Sequence, residues 1–382
     1  MVLVLVALGL GGMVWLWEQA PDPAAVEGGR VDIPDEPVPL EVPPPAAVDG
    51  VAADLRPAPR WTTQLAAPAS AVAITDDAVV VVAEGTIQGL APDTGEIAWE
   101  VDLGEERVAE LLTEAETVVA ALGDGGVLAL DAAGGERRWY SPRPADTALL
   151  AGGTLVVADG RHVRGLGLTD GEARWSRRGE VTVASGRADD LVLVADERTL
   201  TGLEAVSGAT RWQRELTEVS SRPDQSPDTG VVLDGGRLVL VDLDDGDLRG
   251  SLRPEAVLGE RIRGRPRVTA TGGAVVSLGE SVVGFDDMLE ARWRLPTGAH
   301  TALLGHDTED VPTLVVTGGI SVRGLDPARG TERFRMTPSG WFTSATLSDD
   351  LLVLAVHTPT RGRVMLADLN PGGEALEGLS NR

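Results

Sequence analysis

The side chains best suited to titrate near neutral pH or to ligate a metal are four histidines, His162, His300, His306 and His357. They form no HExxH pair, and the closest two are six residues apart. The aspartates Asp242, Asp244, Asp245 and Asp247 have the donor type of a calcium loop, but Gly246 falls where an EF-hand places its third ligand. That run reads more simply as a turn. Cysteine is absent, which removes a thiolate nucleophile, a sulfur-ligated metal and a disulfide framework. No GxSxG elbow, P-loop or dinucleotide fingerprint is present. The expectation is therefore no catalytic residue, no cofactor site and no metal site.

What does recur is a packing residue. GLAPDTGEIAW ends at Trp99 and LALDAAGGERRW at Trp139, LGLTDGEARW at Trp175 and LEAVSGATRW at Trp212. The series continues through VDLDDGDLRG, which ends at Gly250, FDDMLEARW at Trp293 and LDPARGTERF at Phe334, and RWTTQL around Trp61 matches only its closing half. From Trp61 to Phe334 the spacings are 38, 40, 36, 37, 38, 43 and 41 residues, with Gly250 taken as a position whose tryptophan is lost. A period of this length signals a repeat architecture. Within the cassette Gly95, Gly135, Gly171, Gly208, Gly246 and Gly330 hold one place in a tight reversal, where positive φ is free of steric cost only for glycine. Asp131, Asp242 and Asp326 open the reversal and can accept backbone N–H groups ahead of them. The aromatics Trp61, Trp99, Trp139, Trp175, Trp212, Trp293 and Phe334 then share a register on the next strand. From there a large ring can be buried between neighbouring units while the indole N–H finds a carbonyl.

Each unit divides into four short strand candidates of alternating apolar pattern. In the first unit these are residues 70–74, 78–83, 86–90 and 96–101, with turns at Asp76-Asp77 and Glu84-Gly85. Four-stranded antiparallel units at this period are β-propeller blades. Seven units end between Trp99 and Phe334, and three more strands follow, at 342–347, 351–356 and 363–367. Residues 60–65 are expected to add the outer strand of that last unit. The fold expected is all-β, an eight-bladed β-propeller closed by its own N-terminal strand, which leaves no open sheet edge around the ring.

The cassette resembles the repeat of the pyrroloquinoline-quinone-type β-propellers, whose signature reads roughly A-x-D-x-x-T-G-x-x-x-W, and the resemblance covers about residues 60–370. In the enzymes of that family it implies quinone and calcium held at the propeller mouth by a Glu, an Asn and a catalytic Asp, often with a vicinal cysteine pair. Here cysteine is missing and the two asparagines, Asn370 and Asn381, lie in the C-terminal tail. Members without that site are similar to the outer-membrane assembly lipoprotein and to extracytoplasmic sensor or scaffold propellers that bind peptides or proteins. There is no lipobox cysteine either.

Residues 1–17 contain an uncharged apolar run from Val2 to Trp17, which at 1.5 Å per residue would reach roughly 24 Å as a helix. This is expected to be an uncleaved transmembrane anchor, because Glu18-Gln19-Ala20 followed by Pro21 makes a poor cleavage site. Residues 18–59, rich in proline and acid, are expected to be a disordered, extended spacer, and residues 371–382 a tail. All 33 basic residues are arginine, and 59 acidic residues leave a net charge of −26, which opposes binding to nucleic acid. The functional expectation is a monomeric, non-enzymatic, membrane-anchored platform on the extracytoplasmic side of a bacterial cell envelope. It would bind an envelope protein or peptide and no nucleic acid. The competing reading is a ligand- or quinone-binding sensor or enzyme that uses the central channel. Specific function is expected where the cassette fails: at Gly250, around Asp287 and in residues 217–228.

Overall fold

In a computed structural model the repeats form eight sheets whose strands run in chain order from the inside of a ring to the outside, except that the last takes its outer strand from the N-terminal end of the domain and one gains a short extra strand from its neighbour. The described residues are 57–369, apart from 124–125, 179–181, 184, 187–189, 270, 279, 298–301, 307–312, 319–320, 338–339, 349–350 and 359–360. All belong to one compact unit. The expected anchor, nearly all of the expected spacer and the expected tail lie outside them. Among the described residues no helix is long and apolar enough to cross a membrane.

Blade 1 shows the plan: Ala69–Ile74 is innermost, then Val79–Ala83 and Thr86–Leu90, with Ile97–Asp102 outermost. Glu84 and Gly85 both take positive φ, 40° and 77°, in the two-residue turn between the middle strands. Such a turn matches the right-handed twist of the strands it joins. The middle strands depart from the simple alternation of the sequence. Val79–Ala83, Thr117–Ala121, Thr154–Ala158 and Leu191–Ala195 are buried at every position. They are covered on both faces by neighbouring blades, so both sets of side chains are apolar. Outer strands keep the alternation, as in Ile97–Asp102, where Trp99 is buried and Ala98 and Glu100 are exposed.

The last blade joins the two ends of the domain. Trp341–Ser348, Leu351–Thr358 and Arg361–Asp368 are its first three strands, and Ala58–Leu65 pairs antiparallel with Arg361–Asp368 as the fourth. The closing strand begins at Ala58 rather than Arg60, so Ala58 and Pro59 belong to the sheet and not to the spacer. A proline is tolerated there because an outermost strand needs its N–H groups on one side only. Around the ring each inner strand touches the next, from Trp341–Ser348 to Ala69–Ile74 to Glu110–Glu114 to Thr147–Ala151.

Two local irregularities fall in blades 4 to 6. The inner strand of blade 4 is cut to Thr182–Val183, after which Ser185–Gly186 crosses to pair in parallel with Asp224–Gln225 of blade 5. Between blades 5 and 6 the chain makes a short helix, Pro254–Leu258, with proline in its first turn and Gly259 at φ 72° closing its end.

Candidate functional site: a charged cluster at one mouth of the ring

All inner strands run the same way along the axis, so residues at or just before their first positions meet at one mouth. Glu110, Asp224, Arg267 and Trp341 are each the first residue of an inner strand, and Arg222 and Arg265 come two residues before one. Pro223 and Pro266 follow those two arginines. A residue ahead of proline is biased toward extended backbone, which suits the approach to a strand.

The Arg222 side chain is the centre of this cluster. One guanidinium nitrogen donates to both carboxylate oxygens of Glu110 in blade 2, at 3.1 and 3.0 Å. The other terminal nitrogen donates to the Ala148 carbonyl in blade 3 at 3.2 Å. Its side chain is 5% exposed and that of Glu110 24%. An arginine rooted in blade 5 thus reaches blades 2 and 3 across the mouth. Asp224 accepts from Arg267 at 3.1 Å and from the Val268 N–H at 3.0 Å, tying blade 5 to blade 6. Gln225 repairs the short inner strand of blade 4. Its amide oxygen accepts the Leu193 N–H at 3.0 Å and its amide nitrogen donates to the Leu191 carbonyl at 3.1 Å. These are backbone groups that a full-length inner strand would have paired.

Arg265 stands in the same field without a carboxylate at ion-pair distance among the described residues. Its side chain is open to water, yet burial by its surroundings is the chief influence holding the guanidinium below its ordinary range. Arg222 and Arg267 press the same way, and Glu110 and Asp224 oppose them. On the same rim the exposed Trp341 ring lies 5.1 Å from the His357 ring.

The aromatic series is distributed around the ring rather than gathered into a site. Each indole N–H donates to a carbonyl in the reversal of the next blade. Trp61 reaches Pro92 at 2.6 Å, Trp99 reaches Ala132 at 2.9 Å and Trp139 reaches Leu168 at 2.8 Å. Trp175 reaches Ala205 at 2.8 Å, Trp212 Leu243 at 2.7 Å and Trp293 Pro327 at 2.8 Å. The reversal glycines lie against these rings. A Cβ on Gly135, whose φ is 73°, would stand 2.6 Å from the Trp99 ring, and one on Gly330, 2.4 Å from that of Trp293. Gly95, Gly171, Gly208 and Gly246 meet Trp61, Trp139, Trp175 and Trp212 in the same way.

Two partners in this packing escape a reading of the cassette as a turn plus an aromatic. Gly89, Gly165, Gly202, Gly284 and Gly324 face the aromatic across their own blade, and a Cβ on any of them would stand 2.0 to 2.4 Å from its ring. Trp99, Trp175, Trp212 and Trp293 are thus each held between a glycine of their own blade and a glycine of the next, whereas Trp139 faces Ala129 and Trp61 faces Leu366 across their own blades. The arginine just before the aromatic also has a partner. Arg138, Arg249 and Arg333 reach back to Asp131, Asp242 and Asp326 across the reversal, at 2.6, 2.8 and 3.5 Å. The aspartates meanwhile cap backbone N–H groups with their other oxygen. The signal for both is in the cassette itself, a Gly-Leu ahead of the reversal and an Arg ahead of the aromatic.

The failures at Gly250 and near Asp287 prove to be one substitution in two places. Gly250 faces Leu240 where blades 1, 3, 4, 6 and 7 pair an aromatic with glycine. The reversal of blade 6 has no glycine, and Leu289 takes its left-handed conformation at φ 61°. Leu289 Cδ1 would lie 3.3 Å from a Cβ on Gly250, so the leucine fills the volume the missing indole leaves. Gly250 and Leu289 therefore have a structural explanation. Residues 217–228, by contrast, supply Arg222, Asp224 and Gln225 to the mouth.

The residues at the mouth do not fit a quinone with its calcium. Both carboxylates there, Glu110 and Asp224, are already paired with guanidinium groups, and Arg265 adds a third positive group beside Arg222 and Arg267. Among the described residues no three or more acidic or imidazole side chains are grouped as metal ligands. The aspartates from Asp242 to Asp247 are engaged in the reversal, with Asp245 accepting the Asp247 N–H at 2.8 Å.

Comparisons with known proteins agree with the fold. The structure of BamB from Moraxella catarrhalis matches with a TM-score of 0.62 and 18% identity, over 82% of this chain and 100% of that one. The computationally designed Ika8 protein matches with a TM-score of 0.62 and 16% identity, over 80% of this chain and 97% of its own. The quinohemoprotein alcohol dehydrogenase ADHIIG from Pseudomonas putida HK5 matches at 0.61 and 10% identity, over 82% of this chain and 76% of that one. No curated protein matches the chain. A family model described as outer membrane protein assembly factor BamB matches residues 51–187 and 123–307. On that match, which spans most of the ring, the chain belongs to the BamB family of pyrroloquinoline-quinone-type β-propellers.

Proposed function

We propose that this protein is a non-enzymatic platform of the bacterial cell envelope, held to the membrane by residues 1–17 with the propeller on the extracytoplasmic side, and that it binds an envelope protein or peptide at the rim of the ring. One observation carries the reading. Arg222 reaches across the mouth from blade 5 to pair with Glu110 of blade 2, so the rim presents a fixed, charged surface of the kind that the polar groups of a partner can recognise. Family membership supports it, since the family is described as an outer membrane protein assembly factor. A photo-crosslinking residue placed at Trp341 of the full chain in its host, with another at Val206 as a comparison on a reversal between the two outer strands of blade 4, tests the idea. The expected outcome is a discrete adduct with an envelope protein from the Trp341 position. Absence of any adduct, with substrate turnover by the purified protein, would overturn the proposal. The competing channel reading is tested by melting the protein with pyrroloquinoline quinone and calcium. A ligand at a hundred times its dissociation constant would add about 2.7 kcal/mol, and no such shift is expected.

A further inference from the structure

Between blades 5 and 6 the sequence reads Glu260-Arg261-Ile262-Arg263-Gly264-Arg265-Pro266-Arg267, with four arginines at alternate positions. In a chain of net charge −26 this is a concentration of one sign at one place, and the structure sets it on the rim already described. Two of the four are neutralised within the protein: Arg261 by Glu255 at 3.0 Å and Arg267 by Asp224 at 3.1 Å. The other nearby carboxylate, Glu260, pairs with Arg294. Arg263 and Arg265 have exposed side chains and, among the described residues, no carboxylate at ion-pair distance. The Arg263 backbone is nonetheless fixed, its N–H donating to the Ser277 carbonyl at 2.7 Å. Arg265 stands beside Arg222 and Arg267, both of which already have carboxylate partners. Three guanidinium groups there face two carboxylates, and Arg263 adds another positive charge next door.

We infer that Arg263 and Arg265 form the docking point for an acidic peptide segment of the protein's partner, each pairing with a carboxylate of that segment. The inference rests on the platform reading above and names its chemistry. A guanidinium presents two parallel N–H donors that match a carboxylate, and such pairs are stronger where surrounding groups exclude water. Arg265, exposed to water beside Arg222 and Arg267, has its donors available to such a carboxylate. The negative charge of the rest of the protein repels an acidic chain, so the rim selects where it can settle.

The test uses the full-length protein and a fluorescent hexaglutamate peptide, with citrate and a single-stranded oligothymidylate as separate probes. Hexaglutamate should bind, weaken as salt is raised, and lose at least tenfold in affinity in the Arg263→Gln/Arg265→Gln double variant. Arg137→Gln, an exposed outer-strand change on blade 2, should leave binding as it was. Unchanged melting of the double variant establishes that it folds. Should it fail to fold, Arg263→Lys/Arg265→Lys replaces it, and keeping the charge without the two-pronged geometry should still weaken binding severalfold. The inference is overturned if hexaglutamate does not bind, if the double variant binds it equally, or if citrate or the oligonucleotide binds as tightly. If a crosslinked partner is captured equally by wild type and double variant, this docking point is wrong while the platform stands. If no partner is captured at all, the platform reading itself fails.

Discussion

Gly250 and Leu289 show how a repeat can lose its anchor residue and keep its packing. Trp99, Trp175, Trp212 and Trp293 are each seated between two glycines, because there the ring leaves no room for a Cβ on either side. Between blades 5 and 6 the sizes are inverted, with Leu240 and Leu289 bulky and Gly250 small. Gly250→Trp alone should therefore be destabilising through overpacking, by about 1–3 kcal/mol. Adding Leu289→Gly should recover much of the loss, with a coupling of ~0.5–3 kcal/mol read from a double-mutant cycle of urea unfolding. Simple additivity of the two changes would refute the size exchange. Asp131 belongs to the same scale. Arg138 first, then the Gly134 N–H, holds its carboxyl below the ordinary 3.8. A depressed carboxylate value contributes stability above that ordinary value, and the contribution disappears as pH falls through the lowered one. The melting-temperature gap between wild type and Arg138→Gln should thus be constant above about pH 5 and close in more acid solution. Both side chains are partly exposed, so the gap should correspond to about 1 kcal/mol or less. A gap that widens on acidification would contradict the assignment.

At the scale of the element, Ala58–Leu65 is the strand on which closure depends. It supplies Trp61 to the next blade and pairs with residues 362–368, and Arg60 pairs with Asp368 at 2.9 Å. Removing residues 58–65 should lower stability by at least ~3 kcal/mol, the usual loss when a buried aromatic is removed. The whole ring should melt earlier in one transition, because an opened ring exposes a sheet edge and the face of blade 1 together. A second early transition confined to one blade, or an unchanged melt, would show that the strand is an accessory. The shortened inner strand of blade 4 makes the opposite point. There Gln225 supplies by side chain what backbone pairing supplies elsewhere.

Across the whole molecule, Arg222 and Glu110 meet at the mouth from positions 112 residues apart. Glu110→Gln would leave a buried guanidinium without its charge partner. We expect a loss of about 3 kcal/mol in chemical unfolding, the low end for breaking a buried pair because Glu110 retains some contact with water. Replacing both residues, with Arg222→Met added, should cost less than the sum of the two single changes. If Glu110→Gln is neutral, the side chain does not lock the mouth.

Much of this was legible before any coordinates. Repeats near forty residues, the glycine four residues before Trp99, Trp139, Trp175, Trp212 and Phe334, and the surplus half-cassette at Trp61 determine the blades, their number and the means of closure. Those are properties of local turn chemistry and of a period, and each repeat restates them. The glycines across the blade and the Asp-to-Arg clasp were written in the cassette but had no meaning until the pairing register set Gly89 opposite Trp99 and the reversal brought Arg138 back to Asp131. The mouth was less accessible. Arg222 and Arg265 each precede a proline, yet nothing local says that such a dipeptide stands at the head of an inner strand. Only closing eight blades into a ring sets residue 110 beside residue 222, because side chains from different blades converge at the axis according to geometry that no single repeat encodes.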